Sequence, residues 1–287
     1  MNSPHVPCTR PDRIERSLAS RIPRWLCTAM LACGLWSATV SAQEQEMLQL
    51  AIESGRMAHA LTVSADQRYG ELREQRDAMS RLMDALKVPA TPGEDAQSRV
   101  AQLQRVRWIW QKIATKADRL IEKERIVLDA FDDAATVTST LPVIASKLDE
   151  LNRELAEQDV GGNLIRIVGR QQLLIVSMQR SCDGVLAGDE GAAKAADGLR
   201  QRLVLAKRIQ KALSAGDAES GIDRLEEESS RTLAAEIVPL LDRVEAPVDR
   251  LGNAAATLVE AREESADLRK DLEEFQQGLL KLQTTLH

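Results

Sequence analysis

Apolar residues recur along most of this chain at steps of three and four, the spacing that lines one face of an α-helix. Over residues 43–88 the stripe is Met47, Leu50, Met57, Leu61, Leu72, Met79, Leu82, Met83 and Leu86, uninterrupted by proline, which predicts one long helix or a closely broken pair. Pro89, Pro92 and Gly93 end it, because proline lacks a backbone donor and disfavours helix in the residue before it. A second stripe of Val100, Leu103, Val106, Trp110, Ile113, Ala117, Leu120 and Val127 predicts a helix over 95–135. The β-branched run at 136–142 reads as a break, and a third helix over 143–159 stops at Gly161 and Gly162. Two helices follow over 164–186 and 192–213, joined by the turn Ala187-Gly188-Asp189-Glu190-Gly191. Residues 214–221 form the next turn, and a last helix runs to near Leu286 with a kink at Pro239 or Pro247.

One stretch breaks the striping. NLIRIVGRQQLLIVSMQR, residues 163–180, is apolar nearly throughout, yet Gly169-Arg170-Gln171-Gln172 places a charge and two amides within a helix that otherwise wants burial. Arg166 and Arg170 are four apart and share a face, with Ser177 two turns beyond Arg170, so two guanidiniums and a hydroxyl are expected to point into one gap between helices. Arginine's planar fork suits oxyanions. The alternative is that Arg170 reaches out to solvent while Gln171 or Gln172 fixes helix register.

Composition narrows the class. Aromatic residues make up 2% of the chain and glycine and proline are few, while Ala, Leu, Glu, Gln and Arg dominate, the residues that lose least on entering a helix. An all-α protein built as an elongated antiparallel helical bundle follows. The first 42 residues hold five of the 38 basic groups and two of the 44 acidic ones, leaving 33 against 42, a net −9. That balance argues against nucleic acid or an anionic membrane surface as partner.

Those 42 residues are read as a leader. Arg10, Arg13, Arg16, Arg21 and Arg24 precede an uncharged run from Trp25 to Ala42, and Val40-Ser41-Ala42 supplies small residues for cleavage after Ala42. The alternatives are an uncleaved N-terminal anchor and lipid attachment at Cys33, after Met30-Leu31-Ala32. A cleaved leader predicts a periplasmic protein starting at Gln43. Cys8, Cys27 and Cys33 fall in the leader, so Cys182 is the sole thiol left, and its spacing from Met178 and Val185 reads as buried and structural.

The order of elements repeats. AMSRLMDALK at 78–87 matches LAKRIQKALS at 205–214, and KIATKADRL at 112–120 matches RVEAPVDRL at 243–251. Duplication divides the mature chain into helical units at 43–160 and 161–287. Stripes on nearly every helix with few aromatic anchors leave one for a second copy, so a homodimer is expected.

The GRQ stretch resembles the AGRQRMLSQR signature of the PilJ-type, NarX-like sensor domain of bacterial chemotaxis and nitrate-responsive receptors. Val168-Gly169-Arg170-Gln171-Gln172-Leu173-Leu174 supplies that opening in the second unit. In the first unit Ser54-Gly55-Arg56-Met57 looks like its remnant, and the segment ending at Trp108 and Trp110 looks like the family's tryptophan motif. Gln172 stands where the family has its second arginine, and Ile175-Val176-Ser177 replaces the family's SQR, which removes part of the anion chemistry. The resemblance implies a small oxyanion such as nitrate held by Arg170, with Arg166 or its counterpart Arg56 assisting, Gln171 donating an amide hydrogen bond and Ser177 nearby.

No enzymatic constellation accompanies this. His59 and His287 are the histidines beyond the leader, and no HExxH, phosphate loop, GxSxG or cysteine pair occurs, so no catalytic residue, metal ligand or cofactor is assigned. Two readings remain: a periplasmic PilJ-like sensory module that signals through a receptor or envelope protein partner, or a non-enzymatic envelope scaffold acting through helix–helix contacts.

Overall fold

Seven helices carry the described residues, 42–86, 96–158 and 162–284, of this computed structural model. They are α1 (Ala42–Ala60), α2 (Ala65–Ala85), α3 (Ala96–Glu122), α4 (Glu124–Glu157), α5 (Gly162–Leu186), α6 (Ala192–Ala215) and α7 (Glu228–Thr284). No strand occurs among them, and one isolated antiparallel bridge joins Asp217 to Ile222. The fold is all-α, as the composition predicts. The leader and lipid-attachment readings and the Pro89-to-Gly93 stop lie outside the described residues.

Two long rods form the spine. α3 and α4 are separated by Lys123 alone, whose amide bonds back three residues to the Leu120 carbonyl (3.1 Å) while Val127 resumes the four-residue pattern onto Lys123 (3.0 Å). The combined rod runs antiparallel to α7. Ion pairs record the register: Arg105 to Glu274 at 3.3 Å, Lys116 to Asp271 at 2.7 Å, Lys123 to Glu264 at 2.9 Å, and Lys147 to Glu236 at 2.7 Å. Partner numbers fall along α7 as they rise along α3 and α4. At 1.5 Å per residue, the 57 residues of α7 extend about 85 Å.

A helical hairpin packs on each end of the spine. α2 lies against α3 and α4, with Arg76 paired to Asp118 (2.9 Å), and α1 meets the C-terminal half of α7, where Gln276 Nε2 donates to Ser54 Oγ (3.2 Å). α5 and α6 lie against α4 and the N-terminal half of α7. The second of these ends, α4 to α7, is a four-helix bundle, and the order helix pair then long helix occurs twice. The matched sequence pairs fall on corresponding elements, α2 with α6 and α3 with α7. The division expected at 160/161 assigns α7 to the second unit, yet α7 packs along both α3 and α4, and Gln43–His287 holds together as one compact unit.

The core follows the stripes read from the sequence. Leu50, Met57, Leu72, Met79, Ile113, Leu120, Ile144, Leu148, Leu203 and Leu241 are among its wholly or almost wholly buried members. Trp110 meets Phe275 at 6.2 Å between ring centroids, tilted by 56°, and fastens α3 to α7. No helix among the described residues is long and apolar enough to cross a membrane.

Two boundaries differ from the expected ones. Of the two alternatives for the first stripe, the closely broken pair is the one present, with the turn at 61–64. The β-branched run at 136–142 is no break: α4 continues through it and through Pro142. Burial of Val137, Thr140, Leu141 and Ile144 overrides propensity there, and the hydroxyls of Thr136, Thr138 and Thr140 donate to carbonyls four residues back at 3.1, 2.8 and 2.7 Å. The interruption falls instead at Lys123, inside the helix predicted over 95–135. Nothing in Ile121-Glu122-Lys123-Glu124-Arg125 signals it.

Candidate functional site

The apolar stripe of α5 faces inward, burying Leu164, Val168, Ile175, Met178, Cys182 and Val185. That orientation leaves Arg166 and Arg170 exposed on the side next to α6, which offers Leu205, Arg208 and Ile209 across the gap. The segment after α6 closes the end of this groove. Gly216 and Gly221 adopt φ of +79° and +66°, which side-chain-bearing residues avoid, and the Asp217 and Ile222 amides each donate to the other's carbonyl at 2.8 and 3.0 Å. Asn163 Nδ2 ties the turn to α5 by donating to the Gly221 carbonyl (3.0 Å). An open cleft of about 330 Å³ results, with Ile167, Leu205, Ile209 and Ile222 as its apolar walls.

Its electrostatics are lopsided. Arg170 makes no hydrogen bond or ion pair with any described residue. Arg166 donates only to the amide oxygen of Asn163 (2.9 Å). Arg208 donates to Ser220 Oγ (3.3 Å) and stands 3.8 Å from Asp217. The Ser220 hydroxyl and backbone amide both donate to the Asp217 carboxylate (2.7 and 3.2 Å), which holds its pKa below the usual carboxylate range. Three guanidiniums thus line the cleft with a single carboxylate, Asp217, whose ionised form the Ser220 bonds favour.

The other residues predicted for the site lie elsewhere. Gln171 is wholly buried: its Nε2 donates to the Ala206 carbonyl (3.2 Å) and to Gln210 Oε1 (3.1 Å), and Gln210 Nε2 donates on to the Ala234 carbonyl (2.6 Å). The two amides tie α5, α6 and α7 into one layer, the register role weighed against ligand binding. Ser177 bonds the Leu174 carbonyl of its own helix (2.8 Å) and does not line the cleft. Arg56 sits on α1, at the other end of the spine, paired with Glu53 at 3.0 Å. Arg208, Asp217 and Ser220 were not anticipated. The one hint was the Gly216-Asp217…Ser220-Gly221 turn, whose side chains meet α5 only once the bundle forms.

Comparison with known proteins places the chain beside chemotaxis transducers. It is 29% identical over 190 residues to the putative methyl-accepting chemotaxis AlkN of Alcanivorax borkumensis, covering 61% of this chain and 28% of that one. It is 26% identical over 162 residues to protein PilJ of Pseudomonas aeruginosa, covering 56% of this chain and 24% of that one. The match thus spans about a quarter of the length of either relative. No family profile matches. Among solved structures, the V. parahaemolyticus TorS histidine kinase sensor domain aligns over 84% of this chain and 98% of its own, with a TM-score of 0.46 and 14% identity. A TorS sensor domain–TorT complex in the presence of TMAO covers the same shares at a TM-score of 0.33 and 12% identity.

Proposed function

We propose that this chain is the ligand-binding part of a PilJ-like sensory system, and that the cleft between α5 and α6 holds a small oxyanion of the nitrate or carboxylate class. Arg170, whose guanidinium has no partner of its own, carries the reading. Arg166 and Arg208 complete a triad around the guest, and Asp217 keeps Arg208 aimed while leaving the other two charges uncompensated. Charge-assisted bonds to arginine contribute on the order of 1.5–3 kcal/mol each, so two or three give micromolar to millimolar affinity after ordering costs. The likeness to AlkN and PilJ supports a sensory role over an enzymatic one.

In this reading the protein is exported, cleaved after Ala42 and active in the periplasm as a homodimer that signals through a receptor or envelope partner. Intact mass of the exported form, expected to begin at Gln43, tests the first point, and light scattering at micromolar concentration tests the dimer. Calorimetry with simple anions tests the site: Arg170→Ala abolishes binding while the helical signal is unchanged. If no anion gives heat or shifts the melting temperature, the second reading, an envelope scaffold, takes its place. The outward-facing Leu173 and Val204, 71% and 68% exposed on α5 and α6, favour that alternative.

A further inference from the structure

The lining of the cleft says more than that its guest is an anion. Resting on the anion-binding reading above, we infer that the guest is an organic carboxylate with a hydrocarbon body, rather than a bare inorganic oxyanion. Three observations lead there.

The first is size. A cavity of about 330 Å³ lies in the range of roughly 300–1,000 Å³ that holds organic ligands, whereas a water takes only about 30 Å³ of liquid volume and nitrate has just four heavy atoms. An inorganic anion touching Arg170 would leave most of the cleft unfilled.

The second is chemistry. The guanidiniums are at the rim and the apolar side chains of Ile167, Ile209 and Ile222 are beside them, so charge and hydrocarbon are recognised side by side. Leu205 continues this apolar wall into a second depression, which Arg202 and Lys194 border, giving a longer body somewhere to extend.

The third observation is internal to the chain. Gly55-Arg56 on α1 and Gly169-Arg170 on α5 sit alike, each arginine exposed with buried residues two before it and one after it, Ser54 and Met57 in one, Val168 and Gln171 in the other. Three residues before the first arginine stands Glu53, which pairs with it at 3.0 Å; three before the second stands Ile167, which lines the cleft. One copy carries its own carboxylate on the arginine. The other has replaced that carboxylate with an apolar wall and left the guanidinium open, so a carboxylate from outside occupies the place that Glu53 fills in the first copy.

The test is calorimetry on the full chain with sodium nitrate, sodium acetate, sodium hexanoate and disodium adipate. Hexanoate or adipate is expected to bind at least about ten-fold more tightly than nitrate or acetate. Arg170→Ala raises that Kd at least about ten-fold and Arg56→Ala leaves it unchanged. Leu205→Asn, at a half-exposed position that folding tolerates, narrows the gap between hexanoate and acetate without altering nitrate. Nitrate binding as tightly as either longer carboxylate, through Arg170, overturns this inference and leaves the anion reading standing. Silence from all four anions overturns both.

Discussion

Tyr69 is wholly buried where α2 meets α4, and its hydroxyl has no hydrogen-bond partner among the described residues. Burial pushes its pKa up to about 12 from 10.0; Arg68 opposes this and Glu124 and Glu264 add to it. The neutral phenol is the form the fold accepts, so its contribution to stability is complete below pH 10 and fades as pH rises from 10 toward 12. Tyr69→Phe should hold or raise the melting temperature, by the equivalent of about 1 kcal/mol, and flatten the alkaline limb of stability between those values. Thermal melts across that range decide it, and a loss of stability at pH 7 would mean the hydroxyl is bonded. Cys182 behaves similarly: burial pushes its thiol up to about 11, so a disulfide-exchange reagent at pH 8 should find it only after urea unfolds the chain. At this scale the sequence was half legible. Arg166 and Arg170 announce themselves by spacing on one helix, whereas Arg208 and Asp217 acquire meaning only from a turn that closes over a distant helix end.

The helices were more legible than their junctions. α5, α6 and the glycine-marked turn between them were readable to within about two residues, because periodicity and punctuation agree there. The run at 136–142 misled because propensity is local while burial against α7 is not, and the Lys123 interruption has no local sign. Within the α5–α6–α7 bundle the Gln171–Gln210 pair is the one wholly buried amide layer, and it was visible in sequence as an anomaly whose purpose was not. Removing one partner strands the other: Gln210→Leu should cost about 1–3 kcal/mol, while Gln171→Leu with Gln210→Leu should return the loss or better it. Urea unfolding of the two single variants and the double completes the cycle. Additive losses would show that the amides act independently, against a shared layer.

For the molecule as a whole, the ion pairs between the rods set register more than stability, since exposed pairs contribute about 0–1 kcal/mol each. What joins the two ends is the burial common to both faces of the spine. Calorimetry should therefore show one cooperative unfolding transition, not one per hairpin. Trp110→Ala, which empties the contact with Phe275, should cost about 3–5 kcal/mol and lower that single transition rather than split off a fraction of it. Two resolved transitions would mean that each hairpin melts with its own stretch of rod. That the last helix packs along both α3 and α4 was not legible, because nothing in a stripe tells which neighbours will share it.

The unbroken length of α7 has a mechanical consequence. A helix with no loop in it carries a displacement along its length, and Pro239 and Pro247, which lack a backbone donor, are the two places in it where bending is easiest. Arg250, near its midpoint, grips the buried Asp133 carboxylate through two nitrogens and supplies a fulcrum. The arms on either side of it are about 33 and 51 Å long, and a tilt of about 1.7° carries the far tip of the longer one about 1.5 Å, the rise of one helical residue. On the proposed reading, a guest that drew α6 toward α5 would pull on α7 through Lys207, bonded to Asp242 and Glu245 at 2.7 Å. That pull would be felt at the opposite end of α7, where Gln276 meets Ser54 of α1.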